Sequence, residues 1–213
     1  MLGIVFDVGA NVGSYSKKIL ELNPKARIFA FEAQPKNYEI LQSVSNLQAI
    51  NLAVGNRDGK TILYDYGEND TEHATLFPKV FGDLYAYHSP LRTFTVDMTT
   101  LDDFCSGAKI DNIDFLKIDV EGGEFDVLLG AQEMIAKRSI AVIHFEFNSM
   151  NIFTKHFLRD FDALLPGYRL YRVCPTTLLE LSGLPVVCQE IFGYQNILAI
   201  REDRVPEVTG RLM

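Results

Sequence analysis

Three strand-length, mainly apolar runs, "GIVFDVG" (3–9), "ARIFAFE" (26–32) and "LQAINLAVG" (47–55), constrain this chain more than any other feature, because a stretch of helix length separates each from the next. Strands that are apolar without alternation need cover on both faces, and parallel strands joined by crossover helices supply it. The first half therefore predicts a βαβαβ unit. Ser14 suits a helix N-cap ahead of Tyr15 to Leu22, and Pro35 stands where a second helix can begin. Further on, "IDFLKIDV" (113–120) and "IAVIHFEFN" (140–148) read as buried strands flanking a helix from about 124 to 137. A helix near 152–165, ended by Pro166-Gly167, precedes strands "YRLYRV" (168–173) and "YQNILAI" (194–200). Between the halves, "KTILYDY" (60–66) and "RTFTVDM" (92–98) alternate like an exposed hairpin around an irregular, aromatic segment, 67–90.

At 213 residues the chain predicts a single domain, 1–213, with 67–90 as a substrate flap. A net charge of −8, from 28 acidic and 20 basic residues, argues against a phosphate-backbone partner, so no nucleic acid is expected. Three scattered cysteines, without Cys-x-x-Cys spacing, indicate neither a disulfide framework nor a zinc site. No export signal or membrane span is legible, which predicts a soluble cytoplasmic protein. Oligomeric state is left open.

The first strand ends in "FDVGANVGS" (6–14), a glycine turn of the kind that cradles a nucleoside, and Glu32 follows at the end of the second strand, where an acid binds a ribose diol. A dinucleotide site needs a glycine at the middle of such a turn so that backbone can approach the pyrophosphate; here Asn11 stands between Gly9 and Gly13. Asp7 would repel a phosphate and favour an ammonium group. Both point to S-adenosylmethionine (SAM), which carries an ammonium and a sulfonium and no phosphate. An NAD-dependent oxidoreductase with a degenerate turn, and a catalytically silent SAM-binding module, stay open as alternatives.

The ordered set "FDVGANVGSYS", "FEAQP", "NLAVGNRDG", "TLDDF" and "IDFLKIDVEGGEFDVLLGA" closely resembles the FkbM-type SAM-dependent methyltransferases over roughly residues 4 to 131. The resemblance implies the Rossmann-like class I fold, α/β, with seven mostly parallel strands, an antiparallel last strand and helices on both faces. It implies that Gly9, Asn11 and Gly13 line the methionine part of SAM, that Glu32 holds the ribose hydroxyls, that Asn51, Ala53 and Val54 lie near the adenine, and that Asp119 faces the methyl-bearing end. Relatives of this type mainly methylate hydroxyl groups on sugars or natural-product scaffolds. Two departures stand out. Ala33 replaces the proline of the family's "FEPxP", which loosens the turn after Glu32, and the chain begins directly at its first strand, without the helical segment that helps to close the site in many relatives.

Methyl transfer to a hydroxyl requires a positioned acceptor and a destination for its proton. Sites on open α/β sheets lie beyond the carboxyl ends of the strands, which selects Asp119, Glu121 and Glu146 as polar contacts or base. Glu124 reads as a partner of the helix it opens, and His144, inside an apolar strand, reads first as a core histidine and second as a base. Asp119, Glu146 and Asn148 also form an oxygen set that could hold Mg²⁺, an alternative to the metal-independent transfer preferred here. Acceptor specificity is expected from the flap, through His73, Phe77, Tyr85 and His88. The expected partner is a small hydroxylated molecule.

Overall fold

Strand β1 (Ile4–Val8) enters with Val5, Phe6 and Val8 all buried, as a strand covered on both faces must be, in a computed structural model that describes residues 3–65, 74–84 and 90–209. Helix α1 (Ser14–Leu22), β2 (Arg27–Phe31), α2 (Pro35–Leu41) and β3 (Leu47–Ile50) complete the first βαβαβ unit. Gly13, at φ 80°, is the N-cap of α1, so Ser14 is its first residue and makes no cap hydrogen bond. Pro35 opens α2, and Gln34 caps it by accepting the Asn37 N–H at 3.1 Å.

The third apolar run is two strands. It breaks at Asn51-Leu52, and β4 (Ala53–Val54) leaves the main sheet for a second one with β5 (Gly59–Asp65) and, past helix α3 (Lys79–Asp83), β6 (Arg92–Thr99). The β5–β6 pair runs antiparallel from Gly59↔Met98 to Asp65↔Arg92, the hairpin that alternation predicts. Helix α4 (Leu101–Ala108) follows, capped by Thr100, and then β7 (Ile113–Ile118).

The helix expected over 124–137 is likewise divided, into α5 (Glu124–Leu129) and α6 (Gln132–Ala136). At the break, a Cβ on Gly130 would lie 2.0 Å from the Gly55 carbonyl oxygen, and the Gly130 carbonyl accepts the Asp102 N–H at 2.9 Å. Backbone packing against two other segments replaces helix continuity there. Strand β8 (Ile140–Phe147) precedes α7 (Met150–Thr154) and α8 (Leu158–Leu164), which are separated at Lys155 by a left-handed residue, φ 61°. Strand β9 (Tyr168–Val173), β10 (Leu178–Glu180), α9 (Val186–Gln189), β11 (Gln195–Arg201) and α10 (Val205–Thr209) complete the described chain.

The main sheet is ordered β10-β9-β11-β8-β7-β1-β2-β3. The expected seven strands are present, with β11 antiparallel to both neighbours, and β10 adds an eighth at the edge by pairing back on β9. On one face, Phe104 of α4 meets Phe6, Phe29 and Phe31 edge-on, and Phe161 of α8 stacks on Phe145 at 4.9 Å. Each fully buried phenylalanine here contributes about 1.5–3 kcal/mol. On the other face α1 and α2 cover Val5, Ile28 and Ala30, while α10 sets Val205 and Val208 over Val142 and Ile200. Among the described residues, this face carries an open cavity at the carboxyl ends of β7 and β8. Among the described residues no helix is long and apolar enough to cross a membrane.

Candidate functional site

The turn after β1 is built on two left-handed glycines, Gly9 (φ 81°) and Gly13 (φ 80°), with Asn11 between them also left-handed at φ 51°. Gly9 N–H and Ala10 N–H both donate to the Phe31 carbonyl, at 3.0 and 2.8 Å, which ties the turn to the end of β2. From there Glu32 reaches back: its Oε2 accepts the Asn11 N–H at 2.8 Å and its Oε1 accepts the Gln34 N–H at 2.7 Å. A carboxylate has about four acceptor positions, so two backbone donors leave capacity for two hydroxyls. Glu32 is nearly buried, and burial pushes its pKa up to about 7 against the lowering effect of those N–H donors.

Glu32 and Asn11 stand in the wall of a cleft with about 120 Å³ of free space. Leu52, Ala53 and Val54 form its apolar side, with Asp119, Val120 and Glu121 and also Ala74 and Leu76 in its lining. Asn51 is not in this wall. It is exposed and its Nδ2 donates to the carbonyls of Glu32 and Ala33, at 2.8 and 3.3 Å, which fastens the turn that the missing proline would otherwise stiffen. Leu52 is the residue that faces the cleft instead.

Asp7 is also outside the cleft. It is fully buried behind the turn, its Oδ2 accepts the Ser16 hydroxyl at 2.6 Å, and its Oδ1 has no hydrogen-bond partner among the described residues. Burial raises its pKa, and Lys117 on the neighbouring strand, its register partner, opposes that rise.

Glu121 adopts φ 55°, and its carbonyl accepts the Thr75 hydroxyl at 2.6 Å; the same hydroxyl accepts the Phe77 N–H at 3.1 Å. Thr75 thus ties the chain at 75–77 to the turn after β7. Glu124 organises that turn, its Oε1 accepting the N–H groups of Val120 and Gly122 at 3.1 and 3.2 Å, and burial pushes its pKa up to about 8. Phe77 packs on Gly122 and Gly123 and does not line the cleft. His73, Tyr85 and His88 lie outside the described residues. Thr75→Val keeps the shape but strips the Glu121 carbonyl and the Phe77 N–H of their partner. A thermal melt is expected to report a loss of about 1–3 kcal/mol, with looser ligand binding in the cleft.

A second, more open cavity of about 670 Å³ adjoins the first and shares Gly9, Asn11 and Asp119 with it. Its other walls include Tyr15 and Lys18 of α1, Lys117, His144, Glu146, Tyr194 and Asn196. Lys117 is nearly buried, its Nζ 2.6 Å from Asp119 Oδ2 and 4.9 Å above the centre of the Tyr15 ring. Glu146 Oε1 accepts the Tyr194 hydroxyl at 2.7 Å, and Asn148 Oδ1 accepts the Met150 N–H at 2.8 Å. The oxygen trio considered for Mg²⁺ is therefore turned toward three different partners, and among the described residues no three His, Cys, Asp or Glu side chains are placed to hold a metal.

Sequence reasoning reached Asp119 and Glu146 but passed over Lys117, Tyr15, Tyr194 and Asn196. A signal for Lys117 existed: a lysine in a strand read as buried on both faces needs a carboxylate within reach, and Asp119 is two residues away on the same face.

Residues 7–172 match the methyltransferase FkbM domain family. The 2-O-methyltransferase NoeI of Sinorhizobium fredii is 28% identical over 183 residues, covering 81% of this chain and 74% of that protein. The methyltransferase sdnD of Sordaria araneosa is 28% identical over 157 residues, covering 61% of this chain and 60% of its own. Among solved structures, the methyltransferase FkbM of Methylobacillus flagellatus superimposes with a TM-score of 0.56 at 15% identity, covering 93% of this chain. This chain spans 43% of that larger one.

Proposed function

This chain belongs to the FkbM methyltransferase family, and from that premise we propose that it transfers the methyl group of SAM to a hydroxyl of a sugar or natural-product-type small molecule. The observation that carries the reading is the meeting of two cavities at Gly9, Asn11 and Asp119, one suited to a nucleoside and the other polar and open. The first fits SAM in its donor set: a buried carboxylate with acceptor capacity at Glu32, apolar walls from Leu52, Ala53 and Val54, and a glycine turn without a phosphate-binding middle glycine. When bound, SAM supplies an electrophilic methyl carbon on a sulfonium.

In this reading Glu32 holds the ribose diol, Asn11, Gly9 and Gly13 shape the seat of the methionine portion, and Asp119, with Glu121 beside it, offers negative charge to its ammonium end. Lys117, its Nζ 2.6 Å from Asp119 Oδ2, fixes that side chain in place. Glu146 faces the acceptor. The flap, through Ala74 and Leu76, excludes water from the donor side, so that charges there act in a low-dielectric setting. The relative NoeI is named a 2-O-methyltransferase, which agrees with a hydroxyl acceptor.

The test is a calorimetric titration with SAM and, separately, NADH, followed by incubation with methyl-labelled SAM and a mixture of hydroxylated small molecules. SAM binding and label in an ether-linked methyl product are expected. Tight NADH binding without SAM binding would overturn the reading, and SAM binding with no transfer to any acceptor would reduce the protein to a binding module.

A further inference from the structure

The second cavity carries more than an acceptor seat. Asp119 and Glu146, the acids nearest the junction, already have partners at their oxygens: Asp119 Oδ2 is held by the Lys117 ammonium at 2.6 Å, and Glu146 Oε1 accepts the Tyr194 hydroxyl at 2.7 Å. His144 is differently arranged. Its Nε2 lies 2.8 Å from Asn196 Oδ1, and its Nδ1 lies 3.2 Å from the Tyr15 hydroxyl.

The orientation of the Asn196 amide decides the tautomer of His144. The amide presents its oxygen to the ring, with Asn196 Oδ1 2.8 Å from His144 Nε2. His144 must donate from Nε2, which leaves the Nδ1 lone pair to accept the Tyr15 O–H.

We propose that Tyr15 and His144 form the proton-accepting arm of the acceptor cavity. As the acceptor oxygen forms its bond to the methyl carbon, its own proton passes to Tyr15 Oη while the Tyr15 proton passes to His144 Nδ1. The methyl–sulfur bond breaks with its electron pair left on sulfur, and the imidazolium later returns its proton to solvent through the open cavity. Tyr15 would touch the acceptor; His144 acts through it and Asn196 positions His144. This rests on the function proposed above.

The surroundings suit the role. The cavity wall around His144 includes Tyr15 and Lys18 from α1, Lys117 of β7 and Asp119 just past it, Glu146 on its own strand and Tyr194 just ahead of β11. Burial lowers its pKa, the Asn196 hydrogen bond opposes this, and Lys117 lowers it further while Asp119 raises it, so the ring is neutral and ready to accept at neutral pH. Burial raises the Tyr15 pKa, which keeps the phenol protonated until its proton is drawn off. Phe115, stacked on Tyr15 at 6.3 Å and 12°, holds the phenol in register with the imidazole.

The test uses Tyr15→Phe, His144→Gln and Asn196→Asp in the full chain. Nitrogen-15 spectra of the wild-type histidine ring are expected to report the Nε2–H form of His144 at pH 7, with an apparent pKa below 6.5, and Asn196→Asp is expected to raise that pKa by at least about one unit. With methyl-labelled SAM and a mixture of methyl hexopyranosides as acceptor probe, Tyr15→Phe and His144→Gln are expected to lower kcat about 100-fold or more, with SAM affinity within about twofold of wild type. Asn196→Asp should move the acidic limb of the pH profile upward. An Nδ1–H or charged His144 at pH 7, wild-type kcat in Tyr15→Phe, or an unmoved limb in Asn196→Asp would each overturn the relay. Loss of SAM binding by the wild type would instead overturn the proposed function, whatever the ring spectra report. If the wild type binds SAM without methylating the glycosides, the ring tautomer and its response to Tyr15→Phe decide the relay alone.

Discussion

Gly9→Ala is expected to destabilise the protein by more than about 3 kcal/mol, enough to leave little folded chain in mild urea. A Cβ at this position would lie 1.7 Å from the Asp119 carbonyl oxygen and 2.7 Å from its carbon, both backbone atoms. Neither side can yield cheaply. The Asp119 N–H donates to the Val8 carbonyl at 2.9 Å, and the Gly9 N–H donates to Phe31 at 3.0 Å, so moving either segment breaks pairings on both sides of β1. The φ of 81° adds about 1–2 kcal/mol for a residue with a side chain, overpacking adds about 1–3, and each lost hydrogen bond about 1. Gly13→Ala is the control. It carries the same backbone cost at φ 80°, yet its nearest obstacles are the ends of the Leu41 and Val44 side chains, at 2.9 and 3.3 Å, and not backbone, so a smaller loss of about 1–3 kcal/mol is expected. Equal urea midpoints for the two variants would contradict the close approach of β1 and β7.

The two glycines look alike in "FDVGANVGS", and the difference between them lies in Asp119, more than a hundred residues along. That is the general reason the sequence was legible in some places and silent in others. Apolar continuity in "GIVFDVG" and "ARIFAFE" reports burial on both faces, and burial on both faces is what β1 and β2 have. The same continuity in "LQAINLAVG" could not say that Ala53 and Val54 pair with Met98 and Thr99 in another sheet, because a run of apolar residues does not name its neighbour. The helix after β7 ends at Gly130, whose backbone packs against Gly55, a neighbour the local sequence likewise does not name.

The site divides along the same line. Gly9, Asn11, Glu32, Ala53, Val54, Asp119 and Glu121 reach the first cleft because each sits at or just past the carboxyl end of a strand, where topology alone sends it. Asn51 and Asp7 occupy equally suggestive positions but are claimed by local partners, the Glu32 carbonyl and the Ser16 hydroxyl. Tyr15 and Asn196 were invisible because their meaning is relational: one belongs to the first helix, the other to the last strand, and only the folded sheet brings both to His144.

Glu32→Gln is expected to weaken SAM binding about 100-fold, corresponding to about 2.7 kcal/mol, and to abolish the pH dependence of that binding near neutrality. In the wild type both carboxylate oxygens accept backbone N–H groups, from Asn11 and Gln34. Glutamine has one oxygen and one NH₂, so one of these N–H groups must face a donor, and the group lost is the charged acceptor a diol requires. Burial sets the sign of the pH effect. With its pKa up at about 7, Glu32 of the free protein is largely protonated below that value and gains full acceptor capacity only above it. Affinity should therefore climb between about pH 5.5 and 7.5 and then level off. Stability of the free protein runs the opposite way: a carboxyl whose folded pKa lies above its ordinary 4.5 contributes most at low pH, and that contribution fades as pH rises through about 7. Glu124, pushed up to about 8, adds a decline in the same range, so the difference between wild type and Glu32→Gln is the quantity that isolates Glu32. Calorimetric titrations and urea midpoints across pH 5.5–8.5 measure both. A wild-type affinity independent of pH over that range would separate Glu32 from the ribose, however weak the variant proved to be.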